Sequence, residues 1–303
     1  MLEVKNLNKS FAEKQVLKNV SFFAQRGKAF GFLGRNGAGK TTTIRIIMDI
    51  FKADSGEVLI DGVTNVQSNL RIGYLPEERG LYPKVAILDQ MAYFGELRGL
   101  SGKEARARSI SLLKKLEAED YAKQNLNTLS KGNQQKIQLA IALLNNPDII
   151  ILDEPFSGLD PINAQILKKV VLELVEENKI VLFSSHQMST VEEFCDGIAI
   201  INNGEIVLFG DLAEIKRQYP RNQIYISTEI NANPSLAKYI EESPAHELLM
   251  SFSCERDGVT AVLKNEADKN KLLSYLAGFE RQIDRFSVIE PTLEQIFVER
   301  AGV

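Results

Sequence analysis

The stretch Phe30-Gly31-Phe32-Leu33-Gly34-Arg35-Asn36-Gly37-Ala38-Gly39-Lys40-Thr41-Thr42 decides how the chain folds. Its apolar start reads as a strand and its glycine-rich middle as a turn. The turn opens a helix whose apolar residues fall at Ile44, Ile47, Met48 and Phe51. The result is strand, loop, helix with the spacing G-x-x-x-x-G-K-T. The loop from Gly34 through Asn36, Gly37, Ala38, Gly39, Lys40, Thr41 and Thr42 can wrap an anion with its N–H groups, and glycine permits the dihedrals this needs. The helix start adds partial positive charge. Lys40 reaches the β- and γ-phosphates of a nucleoside triphosphate, and the Thr41 hydroxyl is placed to ligate Mg²⁺. At ordinary glycine usage such a pattern arises by chance in roughly one chain of this length in a hundred.

Composition sets the limits around that site. With 303 residues the chain suits about two domains. No apolar run approaches the roughly 18 residues of a membrane-spanning helix. Met1-Leu2-Glu3-Val4-Lys5 lacks the basic-then-apolar layout of a secretion signal, so a cytoplasmic chain is expected. Cys195 and Cys254 have no metal spacing and read as reduced core thiols. The net charge of −4 argues against a nucleic-acid partner. Residues 1–217 hold 27 Lys+Arg against 27 Asp+Glu, whereas residues 218–303 hold 9 against 13. That step marks a boundary near Tyr219-Pro220, giving domains at 1–217 and 218–303.

Along the chain, Leu2–Phe11 and Gln15–Ala24 alternate as antiparallel strands. Phe11, at the end of the first, reads equally as an edge-strand core residue or as a platform for stacking a base. Ser55–Ile60 is a hairpin strand, and Ile72–Leu75 a short strand stopped by Pro76. Residues 84–146 carry helical periods only, a helical insertion closed by Pro147. Ile149–Leu152 and Ile180–Phe183 are continuous apolar runs, the mark of parallel strands buried on both faces. Asp160-Pro161 caps the helix between them. These alternations give an α/β class. Past Pro220 the order β-α-β-β-α-β matches a ferredoxin-like split unit. A final helix follows, with Thr292 and Gln295 as a capping box and Leu293, Ile296 and Phe297 on one face.

Hydrolysis needs more than a phosphate loop. Asp153, directly after the buried run, is placed as the Mg²⁺ acid, and Glu154 beside it can orient or deprotonate the attacking water. The Ile180–Phe183 strand ends in Ser184-Ser185-His186. If that strand lies one or two places away, His186 shares a rim with Glu154 and can reach the γ-phosphate. Leu129-Ser130-Lys131-Gly132-Asn133-Gln134 opens another helix, a second anion-binding terminus. In isolation it reads as a capped helix; with a phosphate loop already present, it suits a nucleotide held by another copy.

Taken together these motifs resemble the ATP-binding subunits of ABC transporters, over roughly residues 1–215. Gly34–Thr41 corresponds to Walker A, Ile149–Glu154 to Walker B, and Leu129–Gln134 to the signature. Ser157-Gly158-Leu159-Asp160 corresponds to the D-loop and His186 to the switch histidine. The resemblance implies a P-loop NTPase (RecA-like) core with an antiparallel β subdomain and a helical subdomain, followed by the small α+β domain. It also implies ATP and Mg²⁺ as cofactors, Phe11 as the adenine-stacking aromatic, and Glu154 with His186 as catalytic residues. Thr41, Asp153 and Glu77 would be metal contacts. Two ATPase subunits would pair head to tail, Ser130 and Gly132 of one closing over the ATP held by Lys40 of the other.

Two departures stand out. The signature reads LSKGN where the family usually has LSGGQ, and Glu77 stands where the family has a metal-contacting glutamine. By that resemblance Gly73–Pro83 and the first insertion helix would receive a helix of the membrane partner, with Leu81, Tyr82 and Met91 either its apolar contacts or part of the insertion's own core. The LSKGNQQK wording and the ending Glu290-Pro291-Thr292-Leu293-Glu294 resemble exporter ATPases of the sodium-extrusion and drug-efflux type. Those work with a separate transmembrane permease subunit on the cytoplasmic face of the membrane. The alternative is a soluble ABC-type ATPase acting on ribosomes or DNA, which would carry two ATPase halves or long coiled coils and a basic surface. Residues 220–303 are expected to be dispensable for ATP binding.

Overall fold

The computed structural model describes residues 1–64, 70–78, 80–229 and 233–301. By contacts the chain divides into two units, Met1–Leu212 together with the stretch from Ile296 onward, and Ala213–Gln295. The last helix therefore belongs in part to the first unit, which charge counting along the sequence could not show.

In the first unit, β1 (Leu2–Phe11) and β2 (Lys14–Ala24) form a hairpin. Next come β3 (Lys28–Leu33), α1 (Lys40–Ile47), β4 (Ser55–Ile60), β5 (Val63–Thr64) and β6 (Ile72–Leu75). The insertion contains α2 (Ile87–Leu97), α3 (Gly102–Lys115) and α4 (Lys131–Leu143). The chain continues through β7 (Ile149–Asp153), α5 (Pro161–Glu176), β8 (Ile180–Ser185), α6 (Met188–Phe194), β9 (Gly197–Asn202) and β10 (Glu205–Asp211).

Two sheets organise this unit. The antiparallel one runs β2-β1-β4-β5, and the central one β10-β9-β3-β8-β7-β6. In the central sheet β9, β3, β8, β7 and β6 are parallel, and β10 pairs back onto β9 through the Asn203-Gly204 turn. All residues of β7 and β8 are buried, as their unbroken apolar runs require. The sheets share one core: Phe22 stacks on Phe30 at 5.6 Å and on Phe32 at 4.9 Å, with Ile44 and Ile47 of α1 buried among them.

The insertion is helical throughout its regular elements. Ser101 and Glu104 form the capping box of α3, and Asp160 caps α5 by accepting from the N–H groups of Ile162 and Asn163. Met91 lies wholly inside the insertion, so it is core rather than a contact for a partner. Tyr82, by contrast, is half exposed and stacks on Phe94 at 6.1 Å. Arg79, inside the Gly73–Pro83 segment, lies outside the described residues.

The second unit begins at Ala213, within α7 (Leu212–Arg217), and runs β11 (Gln223–Thr228), α8 (Asn233–Glu242), β12 (Leu249–Cys254), β13 (Val259–Leu263), α9 (Lys269–Leu276) and β14 (Ile283–Ile289). Its sheet order β12-β13-β11-β14, antiparallel throughout, is the ferredoxin-like arrangement. Ile224, Ile226, Leu236, Ile240, Val259 and Leu272 form its core. Cys254 is exposed on the β12 edge, not a core thiol; only Cys195 is buried. The closing helix α10 (Leu293–Ala301) carries the expected capping box, with Thr292 N–H donating to Gln295 Oε1 and Gln295 N–H to Thr292 Oγ1.

Replacing Phe32 by Ala removes the ring that joins the two sheets. It is expected to cost about 3–5 kcal/mol, read as a lowered urea midpoint for the first unit.

Candidate active site

Parallel strands end at one rim, and the sequence places polar residues there. The phosphate loop leaves β3, Glu77 follows β6, Asp153 and Glu154 close β7, and His186 follows β8. Because β8 pairs directly with both β3 and β7, these groups converge. A cavity of about 300 Å³ is lined by Val16, Arg35, Asn36, Gly37, Gly39, Lys40, Thr41, Thr42, Glu77, Asp153 and Glu154.

The loop is shaped for close approach. A Cβ at Gly34 would stand 2.4 Å from the Ile201 carbonyl oxygen, and Gly39 has φ +117°. Gly39 starts α1 with no side-chain cap and no acid in the first turn. The first N–H groups of the helix are thus available to an anion. Lys40 Nζ donates to the Gly34 carbonyl at 2.6 Å and lies 3.4 Å from that of Arg35. Burial pushes its pKa below the usual lysine value, against the pull of Glu154, Asp153 and Glu77.

Glu154 is the most constrained side chain at the rim. Its φ of +50° is unusual for a residue with a side chain, a conformation costing about 1–3 kcal/mol. Four contacts hold it. Its N–H donates to the Ser184 carbonyl at 2.9 Å, and Oε2 accepts from Ser185 Oγ at 3.1 Å. Oε1 accepts from His186 N–H at 2.8 Å and lies 2.7 Å from His186 Nδ1. Both carboxylate oxygens are therefore oriented by the last residue of β8 and the one that follows it.

Asp153 is buried, and burial pushes its carboxyl pKa up, helped by the nearby charges of Glu77 and Glu154. Tyr74 donates toward Asp153 Oδ2 at 3.4 Å; burial first, then that carboxylate, raises the phenol to about 12. Thr41, Asp153 and Glu77 offer only oxygen donors to the cavity, a hard set that suits Mg²⁺. Among the described residues no three His, Cys, Asp or Glu side chains form a metal cluster, so waters or phosphate oxygens would complete the coordination of a bound Mg²⁺.

Other expected residues lie elsewhere. Phe11 is exposed, packs edge-on against Phe51 at 5.5 Å with Lys9 Nζ over its ring, and does not line the cavity. Ser130 caps α4 by accepting from Asn133 N–H at 3.3 Å, and neither it nor Gly132 lines the cavity. A Cβ on Gly132 would press on the Asn163 amide at 2.7 Å. Asn133, where the family has glutamine, donates to Tyr121 OH at 3.0 Å. Val16, Arg35, Tyr74 and Ser185 were missed by sequence reasoning. Arg35 falls inside the glycine-loop pattern and the alternation of β2 sets Val16 opposite Leu17, whereas no comparable signal marked Tyr74 or Ser185.

The comparisons with known proteins agree in kind. The ABC transporter family matches residues 17–157, and the C-terminal domain of DrrA1-3-like ATP-binding proteins matches residues 210–301. The chain is 37% identical to the uncharacterized ABC transporter ATP-binding protein YhaQ of Bacillus subtilis (strain 168), over 100% of this chain and 99% of that one. It is 29% identical to the linearmycin resistance ATP-binding protein LnrL of the same organism, over 100% and 98%. Among solved structures, the dimeric post-hydrolysis state of the ATP-binding cassette MJ0796 bound to ADP and Pi aligns with TM-score 0.63 and 29% identity. The alignment covers 70% of this chain and 99% of that one.

The raised Asp153 carboxyl carries a sign. Its folded pKa lies above the unfolded value, so ionised Asp153 destabilises the nucleotide-free fold once pH rises past the ordinary carboxylate range. Asp153→Asn should therefore stabilise that fold at pH 7 by about 0.5–2 kcal/mol, with the gain vanishing below the carboxylate range, as read by thermal melts across pH.

Proposed function

The chain belongs to the ATP-binding proteins of ABC transporters, and on that premise we propose that it is the Mg²⁺-dependent ATPase subunit of an exporter whose membrane-spanning permease is a separate chain. The observation that carries this reading is the division of the motifs. The uncapped start of α1, Lys40, Asp153 and Glu154 share one cavity, whereas Ser130 and Gly132 lie outside it on α4.

Within one copy, the loop N–H groups and Lys40 bind the triphosphate, Lys40 exchanging the Gly34 carbonyl for phosphate oxygens. Thr41 and Asp153, with Glu77, would hold Mg²⁺, which would neutralise charge on the phosphates. Glu154 orients the attacking water and takes its proton. His186 keeps the Glu154 carboxylate aimed and contacts the γ-phosphate, and the exposed ring of Phe11 offers a stacking surface for adenine. Ser130 and Gly132 of a second copy close over the nucleotide, their helix start facing negative charge. ATP then clamps the pair and hydrolysis releases it.

Among the described residues no helix is long and apolar enough to cross a membrane. Tyr82 at 50%, Tyr93 at 48% and Leu97 at 64% exposure form an apolar face on and before α2. That face is the proposed seat of the permease, with the subunit on the cytoplasmic side of the membrane as the remaining part of the proposal. The full-length match to LnrL, whose name records linearmycin resistance, supports export.

Glu154→Gln should leave ATP binding intact, lower turnover by about 10²–10⁴-fold and accumulate an ATP-bound dimer visible by sedimentation. Normal turnover in that variant would remove Glu154 from the base role. Affinity capture of the tagged chain from detergent-solubilised cells should recover a membrane-spanning subunit; recovery with ribosomes or nucleic acid alone would contradict the transport reading.

A further inference from the structure

A residue far along the sequence meets the side chain of Arg35 in the phosphate loop. The Arg35 guanidinium lies over the Phe297 ring at 5.8 Å from its centroid, close enough for a cation–π contact. Phe297 and its neighbour Ile296 are buried, and the chain from Ile296 onward groups with the first unit. Arg35 has no carboxylate partner within ion-pair distance among the described residues. It lines the cavity, and its backbone is central to the loop. The Arg35 carbonyl accepts from Ala38 N–H at 3.1 Å and faces Lys40 Nζ at 3.4 Å.

We propose that Phe297 is a positioning residue for the phosphate loop, acting through Arg35 to set the affinity for the triphosphate. Fixing the Arg35 side chain fixes the carbonyl that Ala38 and Lys40 share, so the loop meets the phosphates already shaped. It also keeps a positive charge at the mouth of the cavity. Pre-ordering a loop raises affinity by removing an ordering cost from binding. Phe297 touches no reacting atom, so the effect falls on nucleotide binding and not on turnover. This departs from the expectation that everything past residue 220 is dispensable for ATP binding.

The inference rests on the reading of the cavity as an ATP site, and the test separates the two. ATP affinity and steady-state kinetics are measured on the full chain for wild type, Phe297→Leu, Phe297→Trp, Arg35→Ala and the Phe297→Leu/Arg35→Ala pair, with melts as a folding control. Phe297→Leu should weaken ATP binding and raise KM by roughly two- to five-fold, the size of one such contact, with kcat unchanged. Phe297→Trp should keep wild-type affinity, because indole preserves the ring face. In the Arg35→Ala background, Phe297→Leu should add no further loss.

Wild-type affinity in Phe297→Leu, equal losses in the Leu and Trp variants, or an undiminished effect without Arg35 would overturn the inference. If Phe297→Leu melts early, Arg35→Ala decides instead, since Arg35 is an exposed side chain; wild-type ATP affinity in that variant would equally overturn it. Failure of wild type to bind ATP would strike the nucleotide reading itself.

Discussion

The insertion of β8 between β3 and β7 is the constraint on which the site depends. Parallel pairing in this order puts the phosphate loop, the Walker acids and His186 on a single rim, although they are spread across much of the first unit. The pairing is held by burial: Ile149 to Leu152 and Ile180 to Phe183 have almost no exposed surface, and each Val, Leu, Ile or Phe side chain hidden in this way contributes about 1.5–3 kcal/mol. A slip of β8 by one residue would turn Ser185 and His186 away from Glu154 and force the apolar run to repack between its two buried faces.

The rim itself works against stability. Asp153 and Glu154 are buried beside each other with Glu77 close by, and Lys40 is partly desolvated among them. Such a cluster is costly without a ligand, because buried like charges repel and lose hydration. A site of this kind gains from taking up a polyphosphate and a divalent cation together: the cation offsets the carboxylates, and Lys40 and the start of α1 offset the phosphates. The left-handed backbone at Glu154 belongs to the same economy. Its strain persists because Ser184, Ser185 and His186 all hold the residue.

Local chemistry was the legible part. A glycine loop followed by Lys and Thr needs only neighbouring residues to act, so the sequence exposes it directly. Buried strands, the insertion and the βαββαβ order of the second unit were readable because hydrophobic period reports each element by itself. Strand order was not readable: periodicity left His186 one or two places from Glu154, and only the pairing of β7 with β8 brings them to 2.7 Å. Met91 stayed open between partner contact and insertion core because a helix face does not say which neighbour covers it, and Cys254 was misjudged because a strand residue does not reveal that its edge is open. Phe297 was legible as an apolar-face residue but not as a neighbour of Arg35, a contact that depends on the chain end returning to the first unit.

The cavity carries half the groups that a sandwiched triphosphate requires, and the account asks a second copy for the rest. The most direct measurement uses a chain with exposed Cys254 replaced by Ser and cysteines introduced at Ser130 and Asn36. Added MgATP should drive these cysteines into a disulfide between copies, and little should form without it. No added crosslinking at saturating MgATP, or crosslinking indifferent to nucleotide, would contradict the shared site.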